Sequence, residues 1–183
     1  METINRVGNA IQTFTDKRFW PLDPRADEIC VEDIAHALSN KCRFSGHVSS
    51  FYSVAQHSVI VSNICDPEDA LWGLLHDASE AYLIDLPKPL KILPEFEWFV
   101  TLENAVQKQV CLHFGLPQEQ PESTHYGDKV ALVTEKRDLM PPAWDWQLKY
   151  KEQPLDYIIT SWTPKLAEKR FLKRFYELTK KKK

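Results

Sequence analysis

The residues most suited to chemistry lie in LWGLLHDASEAYLIDLPKPLK, residues 71–91, where His76 and Asp77 are adjacent and Glu80 follows. Apolar residues recur at helical spacing, which predicts a helix over 67–85. On such a helix His76 and Glu80 share a face, and Asp77 lies about 100° round from His76. An imidazole and a carboxylate that reach one point suit a divalent transition metal such as Co, Mn, Fe, Ni or Zn.

A neighbouring His-Asp pair is also common as a simple surface ion pair, so two ligands do not define a metal site. Here the flanking residues Leu74, Leu75 and Ala78 are apolar. A charged pair between core positions costs free energy unless a partner satisfies it, and a bound metal is one such partner. The prediction therefore depends on further ligands elsewhere in the chain.

The preceding predicted helix supplies a histidine on its apolar face. Ser53 and Gln56 form an S-x-x-Q capping box that opens this helix, and His57 follows one residue later. A lone histidine there is usually a hydrogen-bonded core residue. However, only a short Asp-Pro turn joins this helix to the next, so the two should pack antiparallel and bring His57 near His76 and Asp77.

A third predicted helix, over 123–140, offers another carboxylate. Asp128 is the candidate ligand, and Glu135 lies seven residues later on the same face. Ser123 or Thr124 is expected to cap this helix. The candidate ligands then occur in the order H…HD…D on three successive helical elements.

This order resembles the HD-domain metal-dependent phosphohydrolases, and is most similar to bacterial 5′-deoxynucleotidases and to phage-type and biosynthetic enzymes that act on deoxynucleotides, including dATP triphosphohydrolases. The matching stretches, within residues 35–140, are CRFSGHVSSFYSVAQHS, LLHDASEAYLIDLPKPLK and GDKVALVTE. The resemblance implies an all-α HD-domain helical bundle. It also implies metal-dependent hydrolysis of phosphate from nucleotides, with dNTPs such as dATP or dNMPs as substrates.

The resemblance also implies a role for each residue that matches the family's motif. The implied ligands of one divalent transition metal are His57, His76, Asp77 and Asp128. Glu80 matches the catalytic glutamate, and Asp85 matches a second acidic residue that helps to position water. A triphosphate substrate would add a Mg²⁺ ion.

Several residues are candidates for substrate binding. By resemblance Arg43 binds the substrate phosphate, which suits its bidentate fork, although a helix-capping arginine is an equal alternative from composition. His47 and Lys91 could add positive charge near the phosphates. Phe44 stands where relatives often carry a tryptophan near the sugar or base. Phe44, Trp20 or Tyr82 could supply the close apolar contact that rejects a ribose 2′-hydroxyl, although for Trp20 an aromatic that pins the arm to the core is the favoured interpretation.

Four alternatives stay open. A two-metal cyclic-dinucleotide phosphodiesterase would use extra histidines such as His113 and His125, and a guanosine tetraphosphate hydrolase could use the same scaffold. A non-catalytic nucleotide-binding sensor would not need Glu80 and Asp85. A purely structural protein would leave the four ligands unexplained.

Composition limits the remaining classes. With 183 residues and 43% hydrophobic residues the chain is predicted to form one globular domain. A net charge of −3 argues against a general nucleic-acid or membrane surface. The scattered cysteines and the lack of a signal-peptide core favour a reducing cytoplasm, the host's if the chain is phage-encoded.

The chain divides into three predicted parts. Residues 1–30 form an irregular arm with a short strand pair, residues 31–140 form the catalytic core, and residues 141–183 form a proline- and aromatic-rich cover with a final helix. The aromatic last third could form a subunit interface, so a homo-oligomer, a dimer or a hexamer, is expected. The substrate partner is a small-molecule nucleotide.

Overall fold

The described part of the protein is mostly helical and has little strand, which confirms the all-α class. The computed structural model describes residues 6–141 and 151–180, and seven α-helices lie within these ranges. They are α1 (Val31–Asn40), α2 (Val54–Ile64), α3 (Ala70–Leu75), α4 (Lys88–Lys91), α5 (Glu97–Phe114), α6 (Glu122–Leu139) and α7 (Pro164–Thr179).

The N-terminal arm is irregular, as predicted, with one short antiparallel hairpin. Its strands are β1 (Ile11–Gln12) and β2 (Arg18–Phe19), and a single 3-10 turn, Ala26–Glu28, precedes α1. Parts of the predicted arm (residues 1–5), cover (142–150) and basic C-terminal run (181–183) lie outside the described residues.

Helix α2 lies at the centre of the fold. Every residue from position 54 to 62 is buried, because α1, α3, α6 and α7 all pack against this helix. The sequence predicted one apolar face for this helix, whereas residues 54–62 are buried on all sides and leave no solvated face. Its serines are satisfied by backbone carbonyls, as where Ser62 Oγ donates to Ala70 O at 2.7 Å.

The helix predicted over 67–85 is broken at the His76-Asp77 pair, and this prediction was wrong. Helix α3 starts only at Ala70 and ends at Leu75, and a 3-10 turn, Ala78–Ala81, follows. Asp77 has left the α-helical region, with φ −101° and ψ 16°. The break turns the chain so that His76 and Asp77 project from the end of a helix.

Most predicted helix ends are confirmed. Ser53 accepts a hydrogen bond from the Gln56 amide at 3.1 Å, and Thr163 caps α7. Gly115 ends α5 with φ 69°, a left-handed conformation that glycine adopts without steric cost. The predicted cap of α6 is wrong, because Pro121 occupies the cap position and Ser123 Oγ instead donates to the Asp69 carboxylate at 2.5 Å.

The Gln56 side chain does not complete the predicted capping box. Its Nε2 donates to Thr160 O and its Oε1 accepts from Trp162 N, both at 2.8 Å. The amide thus ties the central helix to the segment that leads into α7. In the described part of the chain no helix is both long and apolar enough to cross a membrane.

Candidate metal centre and adjoining cleft

Three helical elements bring the four predicted metal ligands to one point. His57 Nε2 lies 3.2 Å from His76 Nε2 and 3.2 Å from Asp128 Oδ1. Asp77 Oδ2 lies 3.3 Å from His76 Nε2 and 3.7 Å from His57 Nε2. The donor atoms of His57, His76 and Asp128 all lie within 4.8 Å of one another, which is close enough to share an ion.

Hydrogen bonds on the far side of each imidazole orient the two rings. His76 Nδ1 lies 2.8 Å from Gly73 O, and a carbonyl can only accept, so Nδ1 carries the proton. His57 Nδ1 lies 2.6 Å from Glu135 Oε1, which likewise fixes Nδ1 as a donor. The two neutral rings would therefore direct Nε2 lone pairs at each other and at two carboxylates, an arrangement that requires a cation.

The charges at this point support the same conclusion. Burial and Arg43 would lower the pKa of His57, but Glu135 and Asp128 outweigh them and raise it to about 9. Burial would raise the pKa of Asp77, yet His76 holds it well below its ordinary value. Without a metal the cation is a proton on His57, and a divalent ion would displace it.

Asp128 is the most accessible of the four ligands, with 44% of its side chain exposed. Burial opposes its ionisation, but the hydrogen bond to His57 lowers the pKa of Asp128 to about 2. The carboxylate is therefore charged throughout the neutral range and ready to bind a cation from the solvent side.

Arg43, the predicted phosphate ligand, lies behind the metal ligands. Its Nη1 is 3.4 Å from Asp77 Oδ2 and its Nη2 is 3.2 Å from Glu135 Oε2. Burial would lower the pKa of Arg43, but these carboxylates raise it above its ordinary value. Phe44 follows at once, with the Arg43 guanidinium 5.3 Å from its ring centroid and a left-handed φ of 55°. The arginine is thus paired with carboxylates and not directed into the cleft.

Glu135 is a site residue whose role the sequence did not reveal. It is fully buried, accepts hydrogen bonds from His57 and from Tyr52 OH (2.8 Å), and pairs with Arg43. Burial would raise its pKa, but Arg43 and His57 lower it. The sequence showed only that Glu135 lies on the same helix face as Asp128, seven residues later, and this spacing was the one signal that could have pointed to a role in the site.

Glu80, the predicted catalytic glutamate, is 4% exposed and lies beside Lys91. Its Oε1 is 3.6 Å from Lys91 Nζ, which also contacts Glu103 Oε1 at 2.7 Å. Burial first, then the charges of Asp77 and Asp85, raise the pKa of Glu80 well above its ordinary value. Among the described residues, its Oε2 has no hydrogen-bond partner.

A cleft of about 520 Å³ opens beside the ligands. Of the predicted site residues, His76, Asp77, Asp128 and Lys91 line it. The other lining residues are Trp72, Ser79, Glu103, Asn104, Gln107, Lys108, Gln118, Gln120 and His125. The remaining predicted residues do not line this cleft, and His57 lies buried behind it.

Two predicted substrate contacts lie elsewhere in the described structure. Trp20 belongs to the N-terminal arm, where the Arg6 guanidinium stacks on its ring at 4.2 Å. His47 is exposed on the turn that follows Arg43. The structure therefore does not bring Trp20 or His47 to the cleft.

Of the two histidines that a second metal would need, His113 and His125, only His125 lies at the cleft. His113 Nδ1 donates to Ala26 O at 2.7 Å, which ties the end of α5 to the N-terminal arm. His125 is exposed and lines the cleft. A second metal that needs both histidines is thus not supported by this geometry.

Gln107 on α5 spans the helix break that presents His76 and Asp77. Its Nε2 donates to Leu75 O at 2.9 Å, and its Oε1 accepts from Ser79 N at 3.2 Å. One side-chain amide thereby satisfies the last carbonyl before the break and an amide just after it. The ligand pair is held from both sides.

Comparison with known proteins places the chain in a family. No model of a known protein family matches it. It is 43% identical to YfdR of Escherichia coli K12, described as uncharacterized, over 130 residues that span 70% of this chain and 71% of YfdR. It is 36% identical over 109 residues to an uncharacterized protein of Rhodobacter capsulatus, with 55% of each chain covered. The chain therefore belongs to the same family as YfdR.

Proposed function

We propose that the protein is an HD-domain metal-dependent phosphohydrolase that removes phosphate from deoxynucleoside 5′-phosphates. The observation that carries this proposal is the convergence of the His57 and His76 Nε2 atoms with two carboxylates at the edge of a cleft. A structural protein has no need to direct unsatisfied lone pairs toward a solvent-accessible cavity.

The donor set fits one divalent transition ion. Two imidazole nitrogens and two carboxylates suit Co, Mn, Fe, Ni or Zn, with Mg²⁺ added by a triphosphate substrate. A bound ion lowers the pKa of its water and polarises a phosphoryl oxygen. The residues that would hold it are His57, His76, Asp77 and Asp128.

The chain's own groups would then position the phosphate and move protons. Arg43 would have to turn from Asp77 toward the cleft to bind phosphate oxygens, whereas Lys91 already presents its ammonium from the cleft wall. Glu80 would exchange a proton with the water or the leaving oxygen, because its raised pKa keeps the carboxyl protonated at higher pH. Asp85 supports that raised pKa electrostatically.

The charge of the cleft favours a monophosphate over a triphosphate. Its wall carries the carboxylates Asp77, Glu103 and Asp128 against the ammonium groups of Lys91 and Lys108. One bound metal ion balances a single phosphate there, whereas dATP would bring more negative charge beside three carboxylates. Deoxynucleoside monophosphates are thus the preferred substrates, and triphosphates the second candidate.

The test is phosphate release from deoxy- and ribonucleoside mono-, di- and triphosphates, with Co²⁺, Mn²⁺, Mg²⁺ or EDTA present. We expect metal-dependent release that is lost in Asp77→Ala and reduced roughly 10²–10⁴-fold in kcat in Glu80→Gln. Asp156→Ala, which changes an exposed carboxylate away from the cleft, is the matched control. Full activity in EDTA, or in a folded Asp77→Ala protein, would contradict the proposal.

The alternatives give different results in the same assay. Guanosine tetraphosphate is added to the substrate panel, and turnover of that compound alone would indicate a guanosine tetraphosphate hydrolase. Tight metal and nucleotide binding without turnover would indicate a sensor. Neither result is expected, because a buried carboxyl of raised pKa beside the ligand set suits proton transfer.

We also propose that the protein acts in the cytoplasm as a homo-oligomer, a dimer or a hexamer. Large apolar side chains are exposed around α4 and the start of α5, including Ile92 at 73% and Trp98 at 64%. Several exposed large apolar side chains in one short stretch of chain suit a subunit interface. Sedimentation velocity that gives a monomer at micromolar concentration would contradict this part.

A further inference from the structure

The two walls of the cleft differ in chemistry. One wall, formed by the end of α3, the break and α6, carries the charged groups His76, Asp77 and Asp128. The other wall, formed by α5 and the loop after it, carries Glu103 and Lys108 and, between and beyond them, the neutral side-chain amides of Asn104, Gln118 and Gln120. These three amide residues are called the amide wall below.

We infer that the amide wall is a nucleobase-binding subsite that reads the polar edge of the substrate's base. The inference rests on the proposed function, because it takes the phosphate to lie against the metal ligands. A primary amide presents a coplanar donor and acceptor, the pattern that matches the edge of a base. A phosphate needs cations and gains little from neutral amides.

The amide groups are available for a ligand. Over residues 6–141 and 151–180, the side chains of Asn104, Gln118 and Gln120 make no hydrogen bond to protein. Gln107, on the same helix, differs, because both ends of its amide are used at the break. Of the four side-chain amides that line the cleft, only that of Gln107 therefore has a structural role in the described residues, and the other three are open to solvent.

The loop that carries Gln118 and Gln120 is held at a defined place. Trp72 Nε1 donates to Pro117 O at 3.0 Å, and Trp72 is buried in α3. Trp72 precedes His76 by four residues, which corresponds to a rise of about 6 Å along the helix. The loop is thus tied to the residue one helical turn before His76, so the loop and the metal ligand are held by the same short helix.

The size of the cleft and the positions of the aromatic residues agree with this assignment. A volume of about 520 Å³ lies in the range of small-molecule sites and accommodates one nucleotide. Trp20 and Phe44, the aromatic residues expected near the base or sugar, do not line the cleft. Within this cleft, the groups able to bind the base are therefore those of the amide wall and not the two aromatic rings.

The experiment compares substrates with and without a base. Gln118→Ala, Gln120→Ala and Asn104→Ala are assayed with dAMP, dGMP, dCMP, dTMP and 2-deoxyribose 5-phosphate. We expect kcat/KM for at least one nucleotide to fall roughly tenfold, since a good amide–base pair contributes about 1–3 kcal/mol. Turnover of 2-deoxyribose 5-phosphate should stay within about twofold of the wild type because it has no base to bind. Gln153→Ala, an exposed glutamine outside the cleft, is the control.

The results distinguish the two proposals. Equal losses on nucleotides and on 2-deoxyribose 5-phosphate, or no loss on either, would overturn the subsite and leave the hydrolase proposal intact. If the wild type hydrolyses nothing, the hydrolase proposal fails. Binding of deoxynucleosides, which have no phosphate, is then measured by calorimetry, and unchanged affinity in all three variants, or no binding, would overturn the subsite as well.

Discussion

Glu135 Oε1 lies 2.6 Å from His57 Nδ1, and both side chains are fully buried. A carboxylate at this distance keeps Nδ1 protonated and so leaves Nε2 free for the ligand set. The other oxygen of Glu135 lies 3.2 Å from Arg43 Nη2. One buried carboxylate therefore positions both a metal ligand and the proposed phosphate ligand.

Glu135→Gln should weaken metal binding while keeping the size of the side chain. We expect a 10–100-fold loss of Co²⁺ or Mn²⁺ affinity, because removing such a supporting partner typically has that effect. Competition against a chelator measures the affinity. Glu177→Gln on the exposed face of α7 should bind metal like the wild type. Unchanged affinity in a folded Glu135→Gln protein would show that Glu135 does not orient His57.

The stability of the metal-free protein should fall as pH rises above neutrality. The pKa of His57 is about 9 in the folded protein, compared with about 6.5 for an ordinary histidine. A raised folded-state pKa contributes stability that is complete below pH 6.5 and is lost as pH rises through 9. In EDTA, Tm should therefore decrease by several degrees between pH 6.5 and 9.5.

Two comparisons test whether His57 causes this slope. His57→Gln should lose it, whereas His113→Gln, at a residue bonded to the N-terminal arm, should keep it. Saturating Co²⁺ should reverse the trend, because the metal binds the neutral imidazole. A slope that is the same in His57→Gln and the wild type would contradict the assignment.

Gln107→Met should destabilise the break between α3 and the following 3-10 turn. Methionine has a similar length but leaves Leu75 O and Ser79 N without their partner, which costs about 1–3 kcal/mol per unsatisfied group. Urea denaturation measures the loss, and metal affinity should fall with it. Gln109→Met on the same helix is the matched control and should change stability by less than about 0.5 kcal/mol.

Gly73→Ala should destabilise the protein, because the added methyl group would push α3 away from the end of α2. A Cβ at position 73 would lie 2.5 Å from Cys65 Sγ and 3.2 Å from the backbone of Ser62. Such overpacking costs about 1–3 kcal/mol, measured as a lower Tm. Adding Cys65→Ala removes the sulfur but leaves the Ser62 contact, so the double variant should recover only part of the stability. Wild-type Tm in Gly73→Ala would show that the two helices adjust freely.

Local signals were sufficient for much of the fold. The helix over residues 31–40, the Ser53 and Thr163 caps and the end of α5 at Gly115 agree with the sequence prediction. In each case the determinant lies within a few residues, either as a side chain that bonds the next turn or as a glycine that permits a left-handed φ. The approach of the two candidate histidines also followed from the short connection between their helices.

Residues that act across long sequence separations could not be predicted. Periodicity continued through His76 and Asp77, so the sequence predicted an unbroken helix. The break persists because Gln107, 28 and 32 residues away along the chain, binds the exposed backbone groups. Glu135 likewise has its role because Tyr52 and His57 reach it from 83 and 78 residues away. For Trp20 the sequence favoured an aromatic that pins the arm over a residue of the pocket, and the structure places its ring in the arm, under Arg6.

The Gln56 amide bonds have a consequence for the order in which the protein assembles during synthesis. They join the helix of His57 to Thr160 and Trp162, which lie 104 and 106 residues later in the chain. A ribosome must therefore synthesise and release the chain beyond Trp162 before the central helix acquires its full set of neighbours. Contacts of such high sequence separation slow folding, so the attachment of α7 to the central helix should be among the last features of the nascent protein to form.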